Sequence, residues 1–184
     1  MHRILLSLLV LCLSSLSVIA ADRKFPYEAV IDVEEDYVRS GNGRNYYPTS
    51  KLQRGDRVTV RRHDPGGWVM IDPPPASFSW IKAEYVRRGQ GTTGTLTENN
   101  VIVRIGSNFN DDHDWYQREL SKGDTVEILG EKSIETDRGP VKMFKIKPPA
   151  NEYRWIMGKA LRPADAPVSY ERLSSASVAL SRPW

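Results

Sequence analysis

One cysteine, Cys12, stands among 184 residues, a scarcity that excludes a disulfide framework and any metal cluster built on thiolates. Histidine is almost as rare, with three residues in the chain. There is no HExxH pair and no G-x-S-x-G elbow, and His63 and His113 each adjoin an aspartate in a turn-like segment. Catalysis finds no foothold here, so the chain is expected to be neither an enzyme nor a carrier of a cofactor or metal. Twelve Pro and thirteen Gly are too few and too scattered for a collagen-like or low-complexity tract. No apolar run reaches the ~20 residues that span a bilayer. A large charge of one sign is lacking as well: the formal net charge is +3.

The longest apolar run, Ile4 to Leu13, follows His2 and Arg3 and is followed by serines and the small residues Ala20 and Ala21. That order reads as a secretory signal peptide over residues 1–21. Its removal takes the cysteine and Arg3, leaving 25 basic against 23 acidic residues. A balanced, exported chain is not expected to bind nucleic acid or to span a membrane once mature. The expected location is secreted, periplasmic or extracellular.

What the chain has is an internal repeat. Val38-Arg39-Ser40-Gly41 matches Val103-Arg104-Ile105-Gly106, and Leu52 to Val60, with Gly55-Asp56 inside it, matches Leu120 to Ile128 with Gly123-Asp124. Ile71-Asp72-Pro73-Pro74 matches Ile146-Lys147-Pro148-Pro149, and Trp80-Ile81 matches Trp155-Ile156. The offset grows between blocks, as loop insertions require, and the larger insertion widens a second-copy hairpin through Glu131 to Pro140. Within each copy one alternating face stays apolar: Val58 and Val60 answer Val126 and Ile128, and Val69 and Ile71 answer Phe144 and Ile146. Their neighbours drift, which is what half-buried strands require. Asp64-Pro65-Gly66-Gly67 reads as a hairpin turn. Trp80 and Trp155 read as core. The expected architecture is all-β, two small units of short strands without helix.

The ordered blocks Val-Arg-x-Gly, Gly-Asp-x-Val, Gly67-Trp68-Val69 and Trp80 to Val86 resemble the bacterial SH3-like (SH3b) domains, and the second copy resembles them too. The resemblance implies two tandem SH3-like barrels: domain 1 at 26–88, a linker at 89–94, domain 2 at 95–162 and a flexible tail at 163–184. The chain departs from the family pattern where Trp68 aligns with Met143 and Tyr85 with Ala160, and where Pro-Pro replaces the usual glycine-rich approach to the tryptophan. The family implies noncatalytic binding of cell-wall (peptidoglycan) peptide or glycan, or else protein–protein interaction within a cell-envelope complex. By position, Tyr46, Tyr47, Trp68 and Tyr85 would line the ligand groove of the first copy, and Trp115 and Tyr116 offer aromatics in the second. The first copy is therefore expected to bind and the second to support it.

Three further patterns read as structure. Asn110-Asp111-Asp112-His113-Asp114 is a solvated acidic loop whose spacing fits no calcium loop. Gly89-Gln90-Gly91-Thr92-Thr93-Gly94 satisfies G-x-G-x-x-G but lacks the helix that would present amides to phosphate. Arg61-Arg62-His63 and Arg87-Arg88 are short basic runs, either solvated strand ends or contacts for anionic polymers.

Overall fold

The computed structural model describes residues 24–136 and 138–166. The signal-peptide reading and nearly all of the expected tail lie outside them. Among the described residues there is no α-helix, and no helix is long and apolar enough to cross a membrane. The described residues hold fourteen strands, which form two seven-stranded antiparallel sheets, and three 3-10 turns.

The first repeat opens with β1 (Tyr27–Ile31), β2 (Glu35–Arg39), β3 (Pro48–Gln53), β4 (Arg57–Asp64) and β5 (Trp68–Ile71). It continues with β6 (Ser79–Lys82) and β7 (Val86–Arg88). The second supplies β8 (Thr93–Leu96), β9 (Val101–Ile105), β10 (Tyr116–Leu120), β11 (Thr125–Thr136), β12 (Gly139–Ile146), β13 (Arg154–Met157) and β14 (Leu161–Pro163). The sheets do not follow this division. Sheet one runs β14-β1-β4-β5-β13-β2-β3, and sheet two runs β10-β9-β6-β12-β11-β8-β7. Each repeat hands its last two strands to the other.

The exchange keeps register. Trp68, Val69, Met70 and Ile71 face Met157, Ile156, Trp155 and Arg154, while Met143, Phe144, Lys145 and Ile146 face Lys82, Ile81, Trp80 and Ser79. These are the same pairs displaced by one repeat. Both crossings, residues 72–78 and 147–153, contain the Pro-Pro element in which the chain departs from the family pattern. Proline fixes φ and stiffens a segment toward an extended path, so the chain runs on to the neighbouring sheet instead of folding back.

Three expectations are corrected by this topology. Residues 89–94 do not link two units; 89–92 form the tight turn between β7 and β8 of one sheet and Thr93 and Gly94 open β8, with the Gly89 amide donating to the Thr93 carbonyl at 2.8 Å. The spans 26–88 and 95–162 therefore do not coincide with the two sheets. Nor are the sheets closed barrels, because in neither do the two outermost strands pair with each other. Of the tail from residue 163, Pro163 belongs to β14 and pairs with Ala29.

The cores sit where alternation put them. Val38, Val58, Val60, Val69 and Ile71 are buried in sheet one with Ile156 from the exchanged strand. Val103, Val126, Ile128, Phe144 and Ile146 do the same in sheet two with Ile81. Trp80 and Trp155 are buried, but their strand positions put them on the opposite face from Ile81 and Ile156, in satellite clusters. Trp80 packs with Phe78, Ile134 and Met143, and Trp155 with Trp68 and Met70. The Trp155 indole donates to Asp64 at 2.7 Å.

Candidate ligand groove

Repeat-equivalent residues shape the long loop that follows the second strand of each copy. Arg39 Nη1 donates to the Tyr46 carbonyl at 2.7 Å, and its counterpart Arg104 donates to the His113 carbonyl at 3.1 Å. A guanidinium thus holds each loop by its backbone, which explains the arginine of Val-Arg-x-Gly. The glycine has its own reason. A Cβ on Gly41 would lie 2.4 Å from the Tyr46 ring, and one on Gly106 would lie 2.1 Å from the Phe78 ring.

The two loops meet at a seam between the sheets. The Tyr47 hydroxyl donates to the Ile105 carbonyl at 2.7 Å and accepts from the Trp115 amide at 3.4 Å. Burial of the phenol holds its pKa up at about 12. The Asn108 amide bonds the Thr49 carbonyl, and the Tyr46 and Trp115 rings meet edge to face at 4.7 Å. Deeper in, Arg154 and Glu152 are fully buried and paired at 2.8 Å, with the Ser79 hydroxyl on the same carboxylate and the Phe78 carbonyl accepting from Arg154. Both crossings pass through this cluster.

The six aromatic candidates divide among four places. Tyr46, Tyr47 and Trp115 come together at the seam, although they belong to different repeats. Tyr116 starts β10 with an exposed ring. Trp68 is 8% exposed and packed against Met70 and Trp155, which leaves little ring face for a ligand. Tyr85, expected beside Trp68, has travelled with the exchanged strands to sheet two.

There Tyr85 lines a groove of about 590 Å³. Around it stand Ile102 and Arg104 of β9 with Lys82 and Met143, then Thr136, Arg138 and Val141 of the long β11–β12 hairpin, and Glu98, Asn99, His113 and Asp114. Thr136 and Arg138 belong to the second-copy insertion from Glu131 to Pro140. The groove is therefore composite: repeat one supplies Lys82 and Tyr85, and repeat two the rest. It sits on sheet two, whereas the first copy was expected to carry the site. Arg104, Lys82 and Arg138 were missed as candidates because the reading followed aromatic rings alone.

The remaining charged motifs are largely engaged. Arg61 makes a two-pronged contact with Asp72, Arg62 pairs with Asp64, and Arg88 with Glu131 at 2.6 Å. Hydrogen bonds from Lys142 and Arg88 lower the Glu131 pKa. Asp111 holds Lys132 at 2.7 Å, and His113 Nδ1 contacts the Asp111 carbonyl. His63 Nε2 lies 2.6 Å from the Tyr27 hydroxyl. No group of three His, Cys, Asp or Glu side chains among the described residues is placed to hold a metal ion.

The chain thus defines a class of all-β protein in which two exchanged antiparallel sheets carry a mixed-charge surface groove. By sequence it is 29% identical over 87 residues to a protein of Bacillus subtilis (strain 168) named "Putative N-acetylmuramoyl-L-alanine amidase YrvJ". The match covers 44% of this chain and 17% of that protein, so the chain spans a minor part of its relative's length. No protein-family model matches the chain, and no solved structure does.

Proposed function

We propose that the protein is a secreted, noncatalytic binding module for the bacterial cell wall, and that the groove on sheet two receives wall peptide. The observation that carries this reading is the composite groove itself. Its lining by strand and hairpin residues suits an extended chain, and Tyr85 with Lys82, Arg104 and Arg138 offers a ring and cations to a peptide with free carboxylates. Similarity to a protein named as a cell-wall amidase supports the wall as the target. The SH3-like reading of the motifs agrees with both, on the understanding that each SH3-like unit is completed by the other repeat's last strands. The aromatic seam at Tyr46, Tyr47 and Trp115 is a secondary contact for the same polymer.

Sedimentation of the chain from Asp22 onward with insoluble peptidoglycan tests the proposal. Retention that survives moderate salt is expected, with Tyr85→Ala and Arg104→Ala each releasing most of the protein. A chain that stays in the supernatant at every ionic strength overturns the reading.

A further inference from the structure

The crossings differ in one respect that bears on a partner. In both, the chain makes the same turn: the Ser77 amide donates to the Pro74 carbonyl at 3.1 Å, and the Glu152 amide to the Pro149 carbonyl at 3.2 Å. In both, one residue takes a left-handed conformation, Ala76 at φ 64° and Asn151 at φ 62°. Asparagine tolerates that region because its short polar side chain bonds locally; alanine does not. The crossing from sheet one to sheet two therefore carries strain that the return crossing avoids.

We propose that residues 72–78 are an opening hinge and that the partner it admits is a second copy of this chain. When the hinge opens, β1–β5 of one copy receive β13–β14 of another, and reciprocally. The pairs of β13 with β5 and β2 and of β14 with β1 are re-formed between chains, since the acceptor sheet and the arriving strands are the same sequences in the same register. The Glu152–Arg154–Ser79 contacts and the groove stay whole, because those residues follow the hinge in sequence; Phe78, whose carbonyl accepts from Arg154, is the hinge's last residue. Three consecutive prolines, Pro73-Pro74-Pro75, favour the extended path that an open hinge needs.

Within one chain the exchange has the advantage of a tether, equivalent to a local concentration on the order of millimolar. The monomer consequently dominates in dilute solution, and the dimer forms when unfolded chains are refolded together at high concentration. Such a dimer carries two grooves, a gain for any repeating polymer, yet its formation does not depend on what the groove binds.

Disulfide trapping tests this. Val30 and Arg162 face each other across β1 and β14. A chain carrying Val30→Cys and a second carrying Arg162→Cys, both from Asp22 onward and otherwise free of thiols, are unfolded together, refolded at roughly millimolar concentration and oxidised. Light scattering is expected to show a dimer, and peptide mapping a bond between residue 30 of one chain and residue 162 of the other. In the parent chain Ala76→Gly relaxes the closed turn by about fivefold per hinge, and a dimer has two, so its association constant is expected to fall about 25-fold. That measurement needs no cysteine variant. Monomer alone at every refolding concentration, bonds only between like positions, or a dimer fraction unmoved by Ala76→Gly overturns the proposal.

Discussion

Two half-buried polar residues join parts of the chain far apart in sequence, and each makes a prediction. Tyr47 reaches across the seam to Ile105. Its phenol titrates near 12, above the ordinary value of 10, because burial disfavours the phenolate. A raised folded pKa in a group that is neutral when protonated gives stability that is full below the unfolded pKa near 10 and is lost as pH rises through about 12. Tyr47→Phe is expected to cost about 1–2 kcal/mol in urea unfolding, since the Ile105 carbonyl loses its donor, and to flatten the alkaline fall of stability. Asp64 is the acid counterpart. Its side chain is 6% exposed, and hydrogen bonds from Arg62 and then Trp155 outweigh burial and lower its pKa. Its contribution is complete above the unfolded value near 4 and disappears as pH falls through the folded one. Arg62 is largely exposed, so solvent screens its share, and the Trp155 indole adds a second hydrogen bond to the same carboxylate. Asp64→Ala is expected to lose about 2 kcal/mol at neutral pH and progressively less as pH falls below about 4, read from thermal melts over an acid pH series.

At the scale of elements, the connectors carry the heaviest polar load. Glu152 and Arg154 are both sealed from solvent, each with one unpartnered atom, Oε2 and Nε. Removing one member of such a pair leaves a buried charge uncompensated. Glu152→Ala is expected to cost about 3–5 kcal/mol, and the double variant with Arg154→Leu to recover part of it, measured as a double-mutant cycle in urea. Much of the element structure was legible in the sequence because it is local. Gly55 and Gly123 adopt φ 94° and 92°, and Asp56 and Asp124 each accept an amide bond within their turns at 2.8 Å, as the repeated Gly-Asp motif requires. Val58, Val60, Val126 and Ile128 are buried as their alternation demands. The destination of β6, β7, β13 and β14 was not legible. In a duplicated sequence every closing strand has two acceptors of equal chemistry, and alternation is blind to the choice. The Pro-Pro departure was visible at both positions, but its consequence is topological and emerges only when the whole chain closes. Tyr85 was misplaced beside Trp68 for the same reason, and with it the groove.

The exchange makes the whole molecule one cooperative unit despite its duplicated sequence, and that has a direct test. A first half, residues 24–88, would hold β1–β5 without Ile156 and Ala160, which complete their core, and would leave Trp80, Ile81 and Val86 with no sheet to enter. A second half, residues 89–166, would lack the strand that separates β9 from β12. Burying a residue such as Ile81 or Ile156 is worth roughly 1.5–3 kcal/mol, and each half forfeits several, against a total stability of only 5–15 kcal/mol for a domain. Neither half is expected to fold alone, judged by amide dispersion and a cooperative thermal transition. Mixing them restores the native spectrum as a one-to-one complex, because the break falls in the exposed turn at 89–91, where no buried contact is lost. Two independent repeats would behave oppositely: each half would melt cooperatively on its own, and mixing would change nothing.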